Sequence, residues 1–350
     1  MKYIKGFDTL RGISIILVLL THLGLYQHLP DNDFIKNRVW LLMSGETGVQ
    51  IFFTLSGFLI TRILLGELNV FDSINFKHFY IRRFLRLLPP LIVFYITIVI
   101  LMYFRVIHTT FAGLLFSAFY LYNFVPMTYY TGELGHTWSL AVEEQYYLIW
   151  PFVVNYFNRK KGFVFISLIL MACIVAVYIY PTLDFTANYK YTRWFIPAVA
   201  PIIIGSFFAW LIDKNEDKFS SYFRRKKTFL RVGILLFLSP LYLPFVELSF
   251  LFQASGVSLV LIWILFNQQS KITAILDNRI LSYIGVISYG LYVYQGLFLR
   301  TGPNGDLWIQ QFPQNIILTF LTAMVSYHFM EKPVLKFKKK FKRTAVNQNS

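Results

Sequence analysis

The chain has 350 residues, of which 56% are hydrophobic and only 14% are charged, and its mean hydropathy is +0.54. A soluble globular protein carries about a quarter charged residues, so this composition excludes a soluble protein and indicates a membrane protein. The formal net charge of +16 is attributed to cytoplasmic loops, where Lys and Arg accumulate in membrane proteins, and not to nucleic-acid binding. The single cysteine, Cys173, excludes an intrachain disulfide and a thiolate metal cluster.

Apolar segments that are long enough to cross a membrane recur along the whole chain. They lie near residues 12–27, 47–65, 87–104, 139–156, 164–181, 194–212, 228–246, 250–267, 281–299 and 314–331. The apolar segment 112–125 is too short for a full crossing and is expected to be re-entrant or interfacial. The sequence therefore predicts an all-α, polytopic membrane helical bundle with about ten full spans plus this one short segment.

Basic clusters fix the expected orientation of these spans. They lie at Arg82–Arg86, at Arg159–Lys161 and in the loop 213–230, and the positive-inside rule assigns them to the cytoplasm. Both termini are then cytoplasmic, and the protein is expected in the cell (inner or plasma) membrane. Residues 1–335 are predicted to form one integral membrane domain, followed by a basic cytoplasmic tail at 336–350.

The first apolar segment places Arg11 at its front edge and His22 as the one titratable side chain in its interior. On an α-helix the two residues share a face and are separated by a rise of about 16 Å. Ionisable residues inside a span are costly and by default indicate a functional site. The alternative is a histidine that only forms a structural hydrogen bond to a neighbouring helix.

The second span contains small residues that allow another helix to approach closely, namely Thr54, Ser56 and Gly57. Ser56 lacks the two flanking glycines of a nucleophile elbow, so the sequence favours a packing role for it.

Arg83 and Arg86 lie three residues apart at the start of the third span, on one face if the segment is helical. Arginines presented together can bind phosphate groups in a bidentate manner. The alternative is a positive cluster that only sets the topology and contacts anionic lipid.

Two adjacent carboxylates, Glu143 and Glu144, lie in an otherwise apolar helix. Two acids inside a span are expensive, and Tyr147 shares a helix face with Glu143 and could satisfy it. A buried carboxylate can orient a histidine or stabilise its protonated form. The alternative is an interhelical salt bridge to an arginine such as Arg62 or Arg193.

Tyr289, Tyr292 and Gln295 follow one another at three-residue steps and form a polar stripe on one helix face. Such a stripe could line a cavity that accepts a polyol, or it could be ordinary aromatic packing. Near the end of the chain His328 and Glu331 could pair, but two ligands do not make a metal site, and no metal is predicted.

These segments together resemble acyltransferase family 3, the membrane proteins that include bacterial O-antigen and peptidoglycan O-acetyltransferases. Arg11 and His22 reproduce the family's pattern of Arg, ten residues and His, and Arg83 and Arg86 reproduce its RxxR motif. The segments IFFTLSGFLI and WSLAVEEQYYLIWP also match, and the resemblance runs in order from FDTLRG to EKP. The sequence departs from the family pattern at one position: SYGLYVYQ ends in Gln295, where many members have histidine. This difference affects the expected identity of the acceptor more than the expected reaction.

The resemblance implies transfer of an acyl group, expected to be acetyl, from cytosolic acyl-CoA to a hydroxyl of a cell-surface or exported carbohydrate. Arg11, Arg83 and Arg86 would bind acetyl-CoA as the donor substrate. His22 would be the general base or would carry the acyl group. Either Glu143 or Glu144 would orient His22 or stabilise its charge.

The expected partners are membrane lipids and a carbohydrate acceptor, either lipid-linked or on the surface, with Trp138, Tyr289, Tyr292 and Gln295 as substrate-binding residues. Nucleic acid is not expected. The chain ends soon after its last predicted span, which leaves room for an extracytoplasmic partner protein to complete the transfer. Two alternatives from other classes are a transporter or flippase for a glycan or lipid-linked sugar, and a structural scaffold.

Overall fold

The computed structural model describes residues 3–157, 159–183, 188–213, 216–299, 307–337 and 341. These ranges are built from helices and connecting turns and contain no β-strand, so the all-α prediction is confirmed. The predicted tail 336–350 lies almost entirely outside the described residues.

The helices of six residues or more are numbered in chain order. They are α1 Phe7–His22, α2 Gly45–Phe71, α3 Phe76–Tyr103, α4 Phe111–Ala118, α5 Thr137–Tyr156, α6 Arg159–Ile179, α7 Ala200–Asp213, α8 Glu216–Arg225, α9 Thr228–Phe237, α10 Val246–Phe266, α11 Lys271–Leu276, α12 Arg279–Val286, α13 Ser288–Phe298, α14 Gln314–Ser326 and α15 Lys332–Phe337.

Three helical stretches in the described ranges are long and apolar enough to cross a membrane: Ile35–Phe71, Phe76–Tyr103 and Leu248–Phe266. A fourth results if α12 and α13, which meet at a bend of 68°, count as one span. The apolar side chains Ile92, Ile96, Val99 and Ile100 form an exposed stripe on α3, and lipid is the solvent that suits such a face. The protein is therefore a membrane protein, while ten crossings and their orientation stay predictions.

Several predicted spans are shorter than the sequence suggests. Helix α1 ends at His22 and does not reach residue 27, because Gly24 adopts a left-handed conformation with φ of 73°. The predicted span 228–246 contains only α9, which is followed by a 3₁₀ turn with Pro240 near its start. The predicted span 281–299 is the bent pair α12 and α13. The short segment 112–125 contains most of the eight-residue helix α4 and a 3₁₀ turn at Tyr122–Phe124.

Two reciprocal pairs of glycines allow the central helices to touch through their backbones. A Cβ atom on Gly57 of α2 would lie 1.9 Å from the carbonyl oxygen of Ile202 on α7, and one on Gly205 would lie 2.1 Å from that of Thr54. Gly12 of α1 and Gly285 of α12 face each other's helices in the same way. The packing role predicted for Gly57 is thus confirmed, since only glycine permits this approach.

Replacing Gly57 with alanine should strongly destabilise the protein, because the new methyl group meets backbone that cannot move aside. We expect a loss of at least about 1–3 kcal/mol in the free energy of unfolding, measured by thermal unfolding in detergent. Gly66→Ala is the matched control on the same helix, since no atom lies within 4 Å of its Cβ position. Equal melting temperatures for the two variants would contradict this packing.

Candidate active site

A cavity of about 180 Å³ lies between α1, α2, α3, α5 and α13. Along α2 its lining runs from Val49 to Ile63, which corresponds to a rise of about 21 Å. The cavity therefore extends over much of the depth of a ~30 Å hydrocarbon core. It brings together six of the candidate residues that the sequence identifies: Arg11, Arg83, Arg86, Glu143, Tyr289 and Tyr292.

Arg82, Arg83 and Arg86 enter the cavity from the first turns of α3, and we call this side the arginine end. Helix α3 begins here because the Asn75 side chain accepts a hydrogen bond from the backbone N–H of His78 and caps the helix. The sequence did not single out Arg82 as a site residue.

The cations at the arginine end are not equally neutralised. A guanidinium nitrogen of Arg82 lies 3.5 Å from a carboxylate oxygen of Glu67, and a guanidinium nitrogen of Arg11 lies 2.8 Å from a carboxylate oxygen of Asp8. Arg83 and Arg86 have no carboxylate oxygen within 4.0 Å among the described residues.

The guanidinium carbon of Arg83 instead lies 3.5 Å from the centre of the Tyr147 ring, a cation–π contact. Arg86 lies close enough to both Arg83 and Arg11 to be repelled by them. Cations held together against their own repulsion form a binding site for an anion with several charges, such as a phosphate group.

Glu143 occupies the middle of the cavity wall and accepts two hydroxyl hydrogen bonds. The Ser56 hydroxyl on α2 donates to Glu143 Oε1 at 2.5 Å, and the Tyr147 hydroxyl donates to the same oxygen. The predicted pairing of Glu143 with Tyr147 is confirmed. Ser56 is buried at a helix interface, as its predicted packing role requires, and in addition its hydroxyl reaches the carboxyl group across the interface and the residue lines the cavity.

The salt bridges considered as alternatives for the acidic pair do not form in the described structure. Arg62 pairs with Glu216 at 3.1 Å, and Arg193 donates a hydrogen bond to the hydroxyl of Tyr130 at 3.4 Å. Glu144 lies outside the cavity lining and interacts electrostatically with Arg83 and Arg86. Both arginines also interact electrostatically with Glu143, so the two adjacent carboxyl groups differ in that Glu143 lines the cavity and accepts hydroxyl hydrogen bonds.

His22 lies at the C-terminal end of α1, away from the arginine end, and it is not among the residues that line the cavity. It interacts electrostatically with His136, which immediately precedes α5. The His136 ring is buried, and its Nε2 atom has no hydrogen-bond partner among the described residues. We call this region the histidine end. A direct contact between His22 and Glu143 or Glu144 stays a prediction.

Helix α13 connects the cavity with the histidine end. Tyr289 and Tyr292 both line the cavity, as the predicted stripe requires. The hydroxyl of Tyr292 lies 2.5 Å from that of Ser139 and donates to the carbonyl oxygen of His136 at 2.9 Å. Gln295 does not line the cavity; it is fully buried, and neither of its amide atoms has a hydrogen-bond partner among the described residues.

Trp138 lies beside the cavity without lining it. Its ring packs edge-on against Phe53, a lining residue, with 6.1 Å between ring centres. The guanidinium carbon of Arg193 lies 5.2 Å from the ring on another side. Trp138 therefore lies between the cavity and Arg193. From the sequence alone, Arg193 is identified only as a candidate salt-bridge partner of the two carboxylates.

Sequence reasoning missed Ser56, Arg82 and His136 as members of the site. Two of these residues could have been identified from the sequence. Arg82 belongs to the same basic cluster as Arg83 and Arg86, and His136 immediately precedes the helix that contains the two carboxylates. Ser56 carried no signal, because its role depends on a contact with a helix 87 residues away.

A family model described as an acyltransferase domain matches residues 4–330. The chain belongs to acyltransferase family 3. The motifs that carried the resemblance are the segments that line or flank the cavity, on α1, α2, α3, α5 and α13. No solved structure matches the chain.

Curated relatives share this similarity over nearly the whole chain. YrhL of Bacillus subtilis strain 168, named provisionally as a peptidoglycan O-acetyltransferase, is 29% identical over 95% of this chain and 55% of its own length. The peptidoglycan O-acetyltransferase OatA of Listeria monocytogenes is 29% identical over 96% of this chain and 56% of its own. The chain thus spans little more than half the length of these relatives.

The hydrogen bonds around Glu143 should couple Ser56 and Tyr147 energetically. Ser56→Ala and Tyr147→Phe each remove one hydroxyl, and the double variant removes both. The loss of stability in the double variant should therefore differ from the sum of the losses in the two single variants. We expect an interaction energy of about 0.5–3 kcal/mol from thermal unfolding in detergent. Thr97→Val, which removes an exposed hydroxyl on α3, should change the melting temperature little. Additive losses would show that the carboxylate does not join the two hydroxyls.

Proposed function

We propose that the protein transfers an acetyl group from acetyl-CoA to a hydroxyl group of a carbohydrate. The observation that carries this proposal is one cavity with a group of arginines at one end and a carboxyl group, hydroxyl groups and two tyrosines further along. Two of these arginines, Arg83 and Arg86, have no carboxylate oxygen within 4.0 Å among the described residues. Membership of acyltransferase family 3 favours an enzyme over a transporter or a scaffold. The names of the relatives suggest that the acceptor is peptidoglycan or a related glycan.

The arginine end would hold the donor. Coenzyme A carries several phosphate groups, and Arg83 and Arg86 have no carboxylate within 4.0 Å among the described residues, so they can offer their N–H groups to phosphate oxygens. Arg11 adds a third cation to this end. The donor is cytosolic, so this proposal requires the arginine end to face the cytosol. The thioester would then extend along the cavity, past Glu143, toward the histidine end.

His22 would act on the acceptor from the other side. As a general base it takes the proton of the acceptor hydroxyl while the hydroxyl oxygen attacks the thioester carbonyl. The carbon–sulfur bond then breaks, and coenzyme A leaves with its sulfur protonated. As an acyl carrier it would itself attack the thioester and pass the acetyl group on. Glu144 or Glu143 would stabilise the positive charge that either route places on the imidazole.

The polar groups of α13 suit a sugar. Tyr289 and Tyr292 line the cavity, and their hydroxyls, which donate to the backbone carbonyl oxygens of Leu87 and His136, can still accept hydrogen bonds from sugar hydroxyls. The amide of Gln295 has no hydrogen-bond partner among the described residues and is costly in a buried position. Because Gln295 does not line the cavity, a hydroxyl-rich acceptor would have to extend past Tyr292 to reach it. A protein partner outside the membrane would deliver the acceptor if the chain does not bind it alone.

The first test follows radiolabelled acetyl-CoA with the full chain purified in nanodiscs. His22→Ala should lower acetyl transfer by about 10²–10⁴-fold and leave CoA binding intact. The double variant Arg83→Gln/Arg86→Gln should weaken CoA binding by about tenfold to a hundredfold. Arg62→Gln is the control, because Arg62 pairs with Glu216 and does not line the cavity.

The two routes through His22 differ in where the label appears. Acetyl label trapped on the wild-type protein and absent from His22→Ala indicates an acyl-histidine, whereas consumption of acetyl-CoA without trapped label favours the general base. A wild-type protein that neither binds nor consumes acetyl-CoA would refute the proposal and favour a transporter.

Gln295 offers a separate prediction, because replacing it should affect folding and acceptor binding in different ways. The stability of the protein should not fall, whereas binding of the acceptor should weaken. Gln295→Leu removes a buried amide that has no hydrogen-bond partner among the described residues, so the melting temperature should stay the same or rise. The KM for the glycan acceptor should rise about tenfold while CoA binding does not change. A stability loss with an unchanged KM would mean that Gln295 has only a structural role.

A further inference from the structure

A cluster of two cations and two aromatic rings lies at the end of the bundle opposite the arginine end. It consists of Tyr130, Trp138, Lys190 and Arg193, and we call it the cation–aromatic cluster. Lys190 Nζ lies 4.0 Å from the centre of the Tyr130 ring, and the guanidinium carbon of Arg193 lies 5.7 Å from it. The same carbon lies 5.2 Å from the Trp138 ring.

The two cations are presented together by one turn. Residues Tyr191–Arg193 form a 3₁₀ turn in which the backbone N–H of Arg193 donates to the carbonyl oxygen of Lys190 at 2.9 Å. Both side chains are only partly exposed. Neither has a carboxylate oxygen within 4.0 Å in the part of the chain that the structure describes. Two adjacent, partly buried and unneutralised cations attract an anionic group.

The aromatic part of the cluster is held in place. The Tyr130 ring packs against Tyr122, which is almost fully buried, with 5.8 Å between ring centres. The Tyr122 hydroxyl in turn accepts a hydrogen bond from the backbone N–H of Thr131 at 2.8 Å. A Cβ atom on Gly135 would lie 2.5 Å from the Tyr130 hydroxyl, so glycine leaves this position open. The rings thus form a fixed platform.

The cluster adjoins the cavity through Trp138. Trp138 packs on the lining residue Phe53, and the next residue, Ser139, lines the cavity and contacts Tyr292. Arg193 lies close enough to Tyr292 to interact with it electrostatically. A group bound at the cluster would therefore sit beside the route from the histidine end into the cavity.

We propose that the cation–aromatic cluster binds the acceptor and selects a glycan that carries a carboxylate close to the hydroxyl that reacts. The Arg193 guanidinium matches the two oxygens of a carboxylate, Lys190 adds a second charge, and the rings of Tyr130 and Trp138 pack against the apolar face of the sugar. This inference rests on the proposed function, because it names the class of acceptor for the same reaction.

The test measures glycan binding to the full chain without any donor, in nanodiscs made of uncharged lipid. Three soluble oligosaccharides of equal length are compared: one neutral, one with a carboxylate on each repeat and one with a phosphate on each repeat. The carboxylated oligosaccharide should bind wild type at least about tenfold more tightly than the neutral one. Arg193→Gln should abolish this preference, Lys190→Gln should reduce it, and Arg193→Lys should restore only part of it.

Matched controls separate this inference from misfolding and from failure of the proposed reaction. Lys36→Gln removes another cation, one paired with Asp31 at 2.6 Å and outside the cluster, and should leave the preference unchanged. CoA binding should be the same in Arg193→Gln as in wild type, which shows that the variant is folded. If wild type binds no CoA, the proposed reaction fails while the glycan measurement still stands.

Equal binding of neutral and carboxylated oligosaccharides would overturn the inference, as would an unchanged preference in Arg193→Gln. Tighter binding of the phosphorylated oligosaccharide would overturn the assignment of a carboxylate.

Discussion

The partly buried carboxyl group of Glu143 is the constraint on which the cavity depends. A charge in the interior of a membrane protein is tolerated only when polar partners surround it, and the hydroxyls of Ser56 and Tyr147 supply two of them. Because Ser56 belongs to α2 and Glu143 to α5, these hydrogen bonds fix the relative position of the two helices. The guanidinium group of Arg83 also packs on the Tyr147 ring. Tyr147 therefore contacts both the carboxyl group of Glu143 and the arginine end.

The cavity has positive charge at one end and, beside its other end, a second positive cluster. Both groups of cations include members without a carboxylate partner within 4.0 Å in the described ranges, and the carboxylate of Glu143 lies between them. This distribution suits a reaction between two substrates that each carry negative charge and approach from opposite sides. Each substrate would be attracted to its own end, and the charges of the two would stay apart.

Local patterns predicted the parts of the site that depend on one helix. The four-residue spacing of Glu143 and Tyr147 correctly predicted their hydrogen bond, and the three-residue spacing of Tyr289 and Tyr292 correctly placed both in a shared lining. The bond between Ser56 and Glu143 could not be predicted, because it depends on how α2 and α5 pack. The position of Arg193 over Trp138 depends on a loop conformation, and loop positions have no sequence periodicity. Helix ends were also predicted poorly. The left-handed Gly24 after His22 and the break at Ile287 do not change the average hydropathy of a segment, so hydropathy alone does not reveal them.

The break between α12 and α13 has a consequence for how the protein can change during evolution. The first half of this bent pair touches α1 through Gly12 and Gly285 and contributes no residue to the cavity, whereas the second half supplies the two tyrosines. Because the bend separates the two halves, a substitution at a cavity-lining position of α13 can reshape the cavity without altering the glycine contact between α12 and α1. The side chains that line the cavity and the glycine contact that joins two helices are therefore carried by separate halves of one bent pair.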